Sequence, residues 1–264
     1  MNKVIRAEFG RTINAGLIIA IAGIIFSICF DSFNDLIAGL RNGQGYVGYF
    51  FSNAAFGGMC THYMLPVFTA LPFSVSLCQE RNNKAVSYIV SREGKNRYIF
   101  AKFIVSAISG GFVAVCGTVL LFLMLAMRFP IAGDEFEGAV VSDYFHEWSA
   151  VYYPQLYILT LSILAFCRGV IWSSLALCVS LYTSDFMVVL LSPFLGSYVL
   201  VRIFQIIRVP DMVRPDMILI GQVVIKSSGL TLIIAIAISL TIVTLIGAFF
   251  VGKMKEGLKS GTIY

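Results

Sequence analysis

The residues that could do chemistry in this chain are few and scattered. The six cysteines form no C-x-x-C pair, and neither His62 nor His146 stands in a metal-binding spacing such as H-E-x-x-H. Glycine patterns over 247–253 and 43–48 resemble nucleotide-binding motifs, but neither follows a predicted strand, and Met254 replaces the Ser or Thr of a P-loop. The sequence therefore predicts no catalytic residue, no metal site and no cofactor, and the chain is not expected to be an enzyme.

One charged residue stands apart from the others. Arg168 lies about fifteen residues from either end of a long apolar run, with Trp172 four residues further on. A charge near the middle of a membrane helix costs at least about 2.5 kcal/mol, so the side chain should face protein or a wet cavity. Two interpretations stay open: Arg168 and Trp172 line a substrate pathway, or Arg168 clamps neighbouring helices through their carbonyl groups.

The composition defines the class of protein that holds these residues. Of 264 residues, 58% are apolar and 12% are charged, and the mean hydropathy is +0.87. Soluble domains carry about 25% charged residues, so an ordinary soluble enzyme, a disordered chain and a secreted disulfide scaffold are excluded. The net charge of +5 is assigned to Lys and Arg on the cytoplasmic side of a membrane, and nucleic acid is not expected as a partner.

The hydropathy pattern predicts an all-α, polytopic integral membrane protein that forms a single domain over 1–264. An amphipathic helix over 1–14 should lie in the membrane interface, with Lys3, Arg6 and Arg11 on one half and Glu8 as an exception on the apolar half. Six transmembrane helices are predicted to follow, at about 16–30, 63–77, 99–127, 153–182, 186–206 and 229–251.

The orientation follows from the basic residues, because Lys and Arg beside a span resist translocation. With both termini in the cytoplasm, twelve Lys and Arg lie on the cytoplasmic side and five on the outside. Six of the twelve fall in the linker between the second and third spans. Both termini are therefore predicted to be cytoplasmic.

That linker, over 79–98, carries the most informative pattern. It consists of an acidic-basic pair, a Ser-Arg step, and a Tyr and a Lys that enter the third span: Glu80-Arg81, Ser91-Arg92, Tyr98 and Lys102. In order and spacing these residues resemble the coupling region of ABC type-2 exporter permeases, six-span membrane subunits with an interfacial N-terminal helix. The chain has Lys84-Ala85 where that family commonly has Gly-Thr.

The resemblance implies a short helix over about 80–90, a break at Gly94, and docking of that helix on a separate ATP-binding subunit. The residues assigned to coupling are Glu80, Arg81, Lys84, Tyr88 and Arg92. Two ATP-binding subunits, which would hold ATP and Mg²⁺, would drive two permease copies, as a homodimer or related heterodimer, in a bacterial plasma membrane. The implied cargo is amphipathic or hydrophobic, with a peptide such as a bacteriocin, or a drug, favoured.

Other interpretations of the same residues remain. The linker could be a solvated positive-inside loop, and the chain could be a non-transporting scaffold that anchors a cytoplasmic partner. A channel is a third possibility, in which Arg168 would line an anion path.

Overall fold

The computed structural model describes residues 2–42, 47, 50, 58–131, 153–223 and 225–260, and within them it contains α-helices, one 3₁₀ turn and no strand. The helices are α1 (Asn2–Thr12), α2 (Ala15–Asp31), α3 (Phe33–Asn42), α4 (Met59–Ala70), α5 (Ser76–Asn82), α6 (Val86–Glu93), α7 (Lys95–Ala126), α8 (Pro154–Val179), α9 (Phe186–Ile207), α10 (Pro215–Ile220) and α11 (Ser228–Ser260). The all-helical fold class is confirmed for this part of the chain.

Four helices, α7, α8, α9 and α11, are long and apolar enough to cross a membrane. The shortest of them has 22 residues and spans about 33 Å at 1.5 Å per residue. Helices α1 and α2 meet at a bend of 57° and count as a fifth candidate only if they are taken together. The described residues thus hold four or five such helices, fewer than the six predicted from the sequence.

The second predicted span, at 63–77, does not form one continuous helix. Helix α4 ends at Ala70, is followed by a turn, and resumes as the short helix α5. Pro72 lies in that turn, and because proline has no N–H and crowds the preceding turn, it interrupts the helical hydrogen-bond ladder. Alone, the 12 residues of α4 reach only about 18 Å.

Helix α4 and the turn that follows it nevertheless contact both ends of α2. At one end of α2, the Asp31 carboxylate accepts hydrogen bonds from the backbone N–H groups of Cys60 and Thr61, at 2.9 and 2.6 Å, and so caps the start of α4. At the other end, the Asn14 side chain caps α2 and donates to the carbonyl of Pro72, at 3.3 Å. The bent pair α1–α2 and the broken pair α4–α5 are therefore antiparallel partners.

The centre of the fold is the contact between α7 and α8. A Cβ atom added to Gly169 would lie 2.4 Å from the carbonyl oxygen of Gly110, so only glycine allows this approach of the two backbones. Beside it, the hydroxyl groups of Ser74, Ser106 and Ser173 lie 3.0–3.1 Å from one another and are buried. Helix α8 also packs against α4, α9, α10 and α11.

Helices α9 and α11 present much of their apolar surface outward. Leu195 and Ile206 of α9 are 58% and 79% exposed, and Ile233 and Leu245 of α11 are 65% and 66% exposed. Helices that are apolar on the outside are typical of proteins whose surface faces lipid. Together with the four long apolar helices, this surface indicates a membrane-embedded protein.

Candidate functional site

The linker that resembles a coupling region forms two helices rather than one. The single helix predicted over 80–90 is divided by a turn in which Lys84 has a φ of 52°. Helix α6 then ends at Glu93. It is followed by Gly94, whose φ of 86° lies in the region that favours glycine, and α7 begins at the next residue. The predicted break at Gly94 is present, and the linker has two corners.

Helix α6 lies with one face against the rest of the fold. Val86 and Val90, four residues apart, are buried in an apolar cluster with residues of α7, α8 and α11. The opposite face is exposed and carries Tyr88, which is 69% exposed, and Arg92. Lys84, in the turn before α6, is exposed as well. These three predicted coupling residues are free to contact a partner.

Glu80 has the opposite environment, because its side chain points into the protein. One carboxylate oxygen lies 2.6 Å from the Lys102 Nζ atom and 2.6 Å from an Arg11 guanidinium nitrogen. The other accepts a hydrogen bond from the Tyr98 hydroxyl group. Glu80 thus joins α5 to α1 and α7, and it does not lie on the surface that a partner would touch.

A second carboxylate completes this group, which we call the ionic cluster: Glu8, Arg11, Glu80, Tyr98 and Lys102. Glu8 lies 3.2 Å from both Lys102 Nζ and Arg11. The Lys102 side chain is fully buried. Two positive and two negative charges therefore meet at short range, which is the arrangement that makes buried charges tolerable.

The ionic cluster explains why Glu8 is an exception on the apolar half of α1. That half faces the protein, where the Glu8 carboxylate pairs with Lys102. The sequence contains one signal for this pairing, because Glu8 and Lys102 are each a charged residue within an otherwise apolar surface. The two residues are 94 positions apart, so the sequence does not show that they pair.

Arg81 is also turned inward, toward the end of α8. Its guanidinium group donates to the carbonyl oxygens of Ser180 and Leu181, at 3.0 and 3.2 Å. Those carbonyls follow the last residue of α8, where free acceptors and the negative end of the helix dipole favour a cation. Arg81 therefore fixes α5 to the end of the central helix.

Arg168, on α8, lines a cavity between α4, α8, α9, α10 and α11. It makes no hydrogen bond or ion pair with any other described residue, and its Nε atom is buried without a partner. The carbonyl clamp considered for Arg168 is thus not formed among the described residues. Trp172 lines the same cavity, so the two predicted pathway residues are brought together.

A second, adjoining cavity, which Arg168 also lines, holds an ion pair that the sequence pattern did not suggest. Arg214 and Asp216 form two hydrogen bonds, at 3.3 and 2.7 Å, at the start of α10. The pKa of Arg214 is raised, chiefly by the hydrogen bond to Asp216. His62, which had no predicted role, lies on the same wall, and only the folded chain brings it there.

The glycine patterns, the cysteines and His146 lie either outside the two cavities and the ionic cluster or outside the described residues. Residues 247–253 lie within the continuous helix α11, which is not the strand-to-helix turn of a P-loop. The six cysteines are unbonded, and the described part of the chain contains no group of three or more metal-ligating side chains. His146 and most of 43–48 lie outside the described residues.

Comparison with protein-family models, with curated proteins and with solved structures found no match to this chain.

Proposed function

We propose that the chain is the membrane subunit of an ATP-driven exporter of the ABC type-2 class, and that a separate subunit binds and hydrolyses ATP. The observation that carries the proposal is the construction of the α5–α6 linker. One face of the linker is exposed and polar, and the other is fastened to four parts of the membrane fold. Such a segment can accept a force and pass it on.

The fastenings are of different kinds and reach different helices. Val86 and Val90 pack α6 against α7, α8 and α11. The ionic cluster joins α5 to α1 and α7 through Glu80, and Arg81 joins α5 to the end of α8. Because packed elements move as units rather than deform continuously, a displacement of the linker would shift these helices together.

The exposed side suits reversible docking on a water-soluble partner. Tyr88 offers a rigid amphipathic ring, and Arg92 and Lys84 add positive charge around it. Tyr and Arg are the residue types that most often dominate binding at interfaces, and a polar surface keeps the free subunit stable. In this proposal Lys84, Tyr88 and Arg92 make the contact, and Glu80 and Arg81 transmit it.

Transport further requires that the helices cross the membrane in the proposed order. We place α1 in the cytoplasmic interface and count α2, α4–α5, α7, α8, α9 and α11 as six crossings. Two permease copies, identical or related, would bind two ATP-binding subunits. The cargo would be amphipathic or hydrophobic, a peptide or a drug, with Arg168 and Trp172 on its path.

The direct test is a pull-down of the tagged chain from its native host in mild detergent, with mass spectrometry of the co-purified proteins. We expect an ATP-binding subunit at a ratio near one to one. The double variant Tyr88→Asp, Arg92→Glu should lose that partner at least tenfold, because it reverses charge and removes an aromatic contact at the interface.

A matched control is Lys255→Glu, which reverses an exposed charge on α11 outside the linker. It should retain the partner, and all variants should keep the melting temperature of the parent, because the changed side chains are exposed. Recovery of the chain alone would contradict the proposal. Recovery with a partner that lacks a nucleotide site would instead support the scaffold.

A further inference from the structure

The strongest unexplained feature of the fold is the cavity that Arg168 lines. One compartment, which we call the apolar compartment, has a volume of about 160 Å³ and lies between α4, α8, α9, α10 and α11. A second one, the polar compartment, has a volume of about 180 Å³ and adjoins it, and Arg168, His62 and Asp216 line both. Arg168 therefore stands at the boundary between the two.

The two compartments differ in polarity. The apolar compartment is walled mainly by apolar side chains, among them Ile171, Trp172, Leu200 and Leu219. The polar compartment contains the polar groups of Tyr63, Arg214 and Gln222 in addition to the polar residues that line both compartments. A ligand that fits both must carry an apolar part and a polar part.

The charges around the cavity leave one cation in excess on its wall. Asp216 is the acidic residue of the described cavity lining, and both of its oxygens are already held by Arg214. Asp211, the other partner of Arg214, is 70% exposed and does not line the cavity. Arg168 has no described counter-ion, and its Nε atom is buried without a hydrogen-bond partner among the described residues, which is costly.

We propose that this cavity binds an amphipathic anion, with an oxyanion such as a carboxylate or phosphate at Arg168 and an apolar group against Trp172. A guanidinium group matches the geometry of such oxyanions and is less strongly hydrated than an ammonium group. An apolar cavity of about 150 Å³ in another protein accepts benzene, so the apolar compartment holds a group of about that size. Binding does not depend on the proposed transport function; only a role of the anion as cargo does.

The chain carries its own reporter for this test. Trp172 lines the apolar compartment, and the chain has 2 Trp in all, so Trp148→Phe leaves Trp172 as the single indole. We would titrate this full-length variant in detergent with 4-bromobenzoate, whose bromine quenches indole fluorescence on contact. The neutral probe 4-bromobenzamide has nearly the same size and shape.

The expected result is saturable quenching by the carboxylate at concentrations at least tenfold lower than those needed for the amide. That ratio corresponds to one charge-assisted hydrogen-bonded pair. Equal quenching by the two probes would overturn the proposal. This comparison uses a single protein and is independent of whether any Arg168 variant folds.

Variants then assign the effect to particular residues. Arg168→Gln should abolish the preference for the carboxylate, and Arg168→Lys should retain part of it. Arg202→Gln is the matched control, because Arg202 lies on α9 outside the cavity lining and should leave the preference unchanged. A preference that survives in Arg168→Gln would contradict the role of Arg168.

Filling the apolar compartment provides a second, opposite signature. A Cβ atom on Gly196 would lie 3.3 Å from the Trp172 ring, so Gly196→Val projects into the cavity. This variant should weaken binding of the carboxylate and the amide alike, severalfold, with their ratio preserved. If both probes bind it as they bind the parent, the anion does not occupy this compartment.

Two sources could supply the anion, and nanodiscs distinguish them. If phosphatidylglycerol nanodiscs suppress quenching by 4-bromobenzoate relative to phosphatidylcholine nanodiscs, a lipid headgroup occupies the site. Equal quenching in both identifies a free amphipathic acid. Either result supports the proposal only if the Arg168-dependent preference for the carboxylate is present.

Discussion

At the residue scale, the ionic cluster depends on Lys102 for the neutralisation of its two carboxylates. Its ammonium group is fully buried, touches the carboxylates of Glu8 and Glu80, and lies 4.9 Å from the centre of the Phe73 ring. The ring contributes a further attraction to the cation. Without Lys102, two carboxylates would share a dry site with the half-exposed Arg11 as their remaining cation.

We therefore predict that Lys102→Met destabilises the protein by about 3–5 kcal/mol, the usual cost of breaking a buried ion pair from one side. For a chain of this size the melting temperature in detergent should fall by roughly 10 °C. The control Lys95→Met removes an exposed charge from the same helix and should change the melting temperature little.

A second variant tests the cause of this loss. Adding Glu8→Gln to Lys102→Met removes one of the two uncompensated carboxylates and should restore part of the stability. The nonadditive part of this double-mutant cycle measures the Glu8–Lys102 interaction itself. A Lys102→Met variant as stable as Lys95→Met would show that the ionic cluster contributes nothing.

At the same scale, spacing in the sequence indicates which residues share a helix face but not which way a linker side chain points. Arg168 and Trp172 line one cavity because residues four apart on a helix face the same side. Glu80 and Arg81 were grouped with exposed residues, since spacing along a linker does not tell which way a side chain points. The inward turn of Glu80 depends on Lys102 and Arg11, which arrive from other helices.

At the scale of elements, the packing of α7 on α8 is set by two glycines. Gly110 and Gly169 let the backbones touch, and the serine hydroxyl groups satisfy one another beside that contact. In a membrane, where apolar surface gains nothing by leaving lipid, close packing and such hydrogen bonds hold helices together. This contact therefore holds α7 and α8 together, as a hydrophobic core does in a water-soluble protein.

Gly169→Ala should accordingly destabilise the fold by at least about 1–3 kcal/mol, because the added methyl group meets backbone that cannot move aside. Gly252→Ala is the matched control, since a Cβ atom at that position on α11 has no heavy atom within 4 Å. Alanine there should stabilise the helix slightly. Equal melting temperatures for the two variants would refute the close contact.

The elements divide into those that sequence patterns can and cannot locate. Helices α7, α8, α9 and α11 follow from long apolar runs. Their bounds lie within four residues of the predicted spans, except that α11 ends nine residues beyond its predicted end, at Ser260. The break at Pro72 was missed because hydropathy averages over a window and does not register one lost N–H group. The corner at Lys84 was missed because a positive φ on a lysine has no compositional signal.

At the scale of the whole molecule, the number of crossings decides on which side each end lies. The four long helices and the bent pair α1–α2 make five, which would place the termini on opposite sides. If the broken pair α4–α5 also crosses, the number is six and both termini share a side. The segment from the start of α4 to Pro72 contacts both ends of α2, which favours a crossing.

We predict that alkaline phosphatase, active only outside the cytoplasm, is inactive when fused after Asn83, active after Arg128 and inactive after Ser260. The basic residues of the linker provide the reason, since they resist translocation. If α4–α5 returned to the side it entered from, all three activities would invert. Expression of each fusion, measured by immunoblot, is the control for inactive constructs.

The ionic cluster also sets an order of events during synthesis. Glu8 is made 94 residues before Lys102, and Glu80 is made 22 residues before it. While the nascent chain is shorter than that, α1 has its carboxylate but not the ammonium group that neutralises it in the finished protein. Helix α1 is therefore made before α7, but it gains its buried ion pair only after Lys102 of α7 has been made.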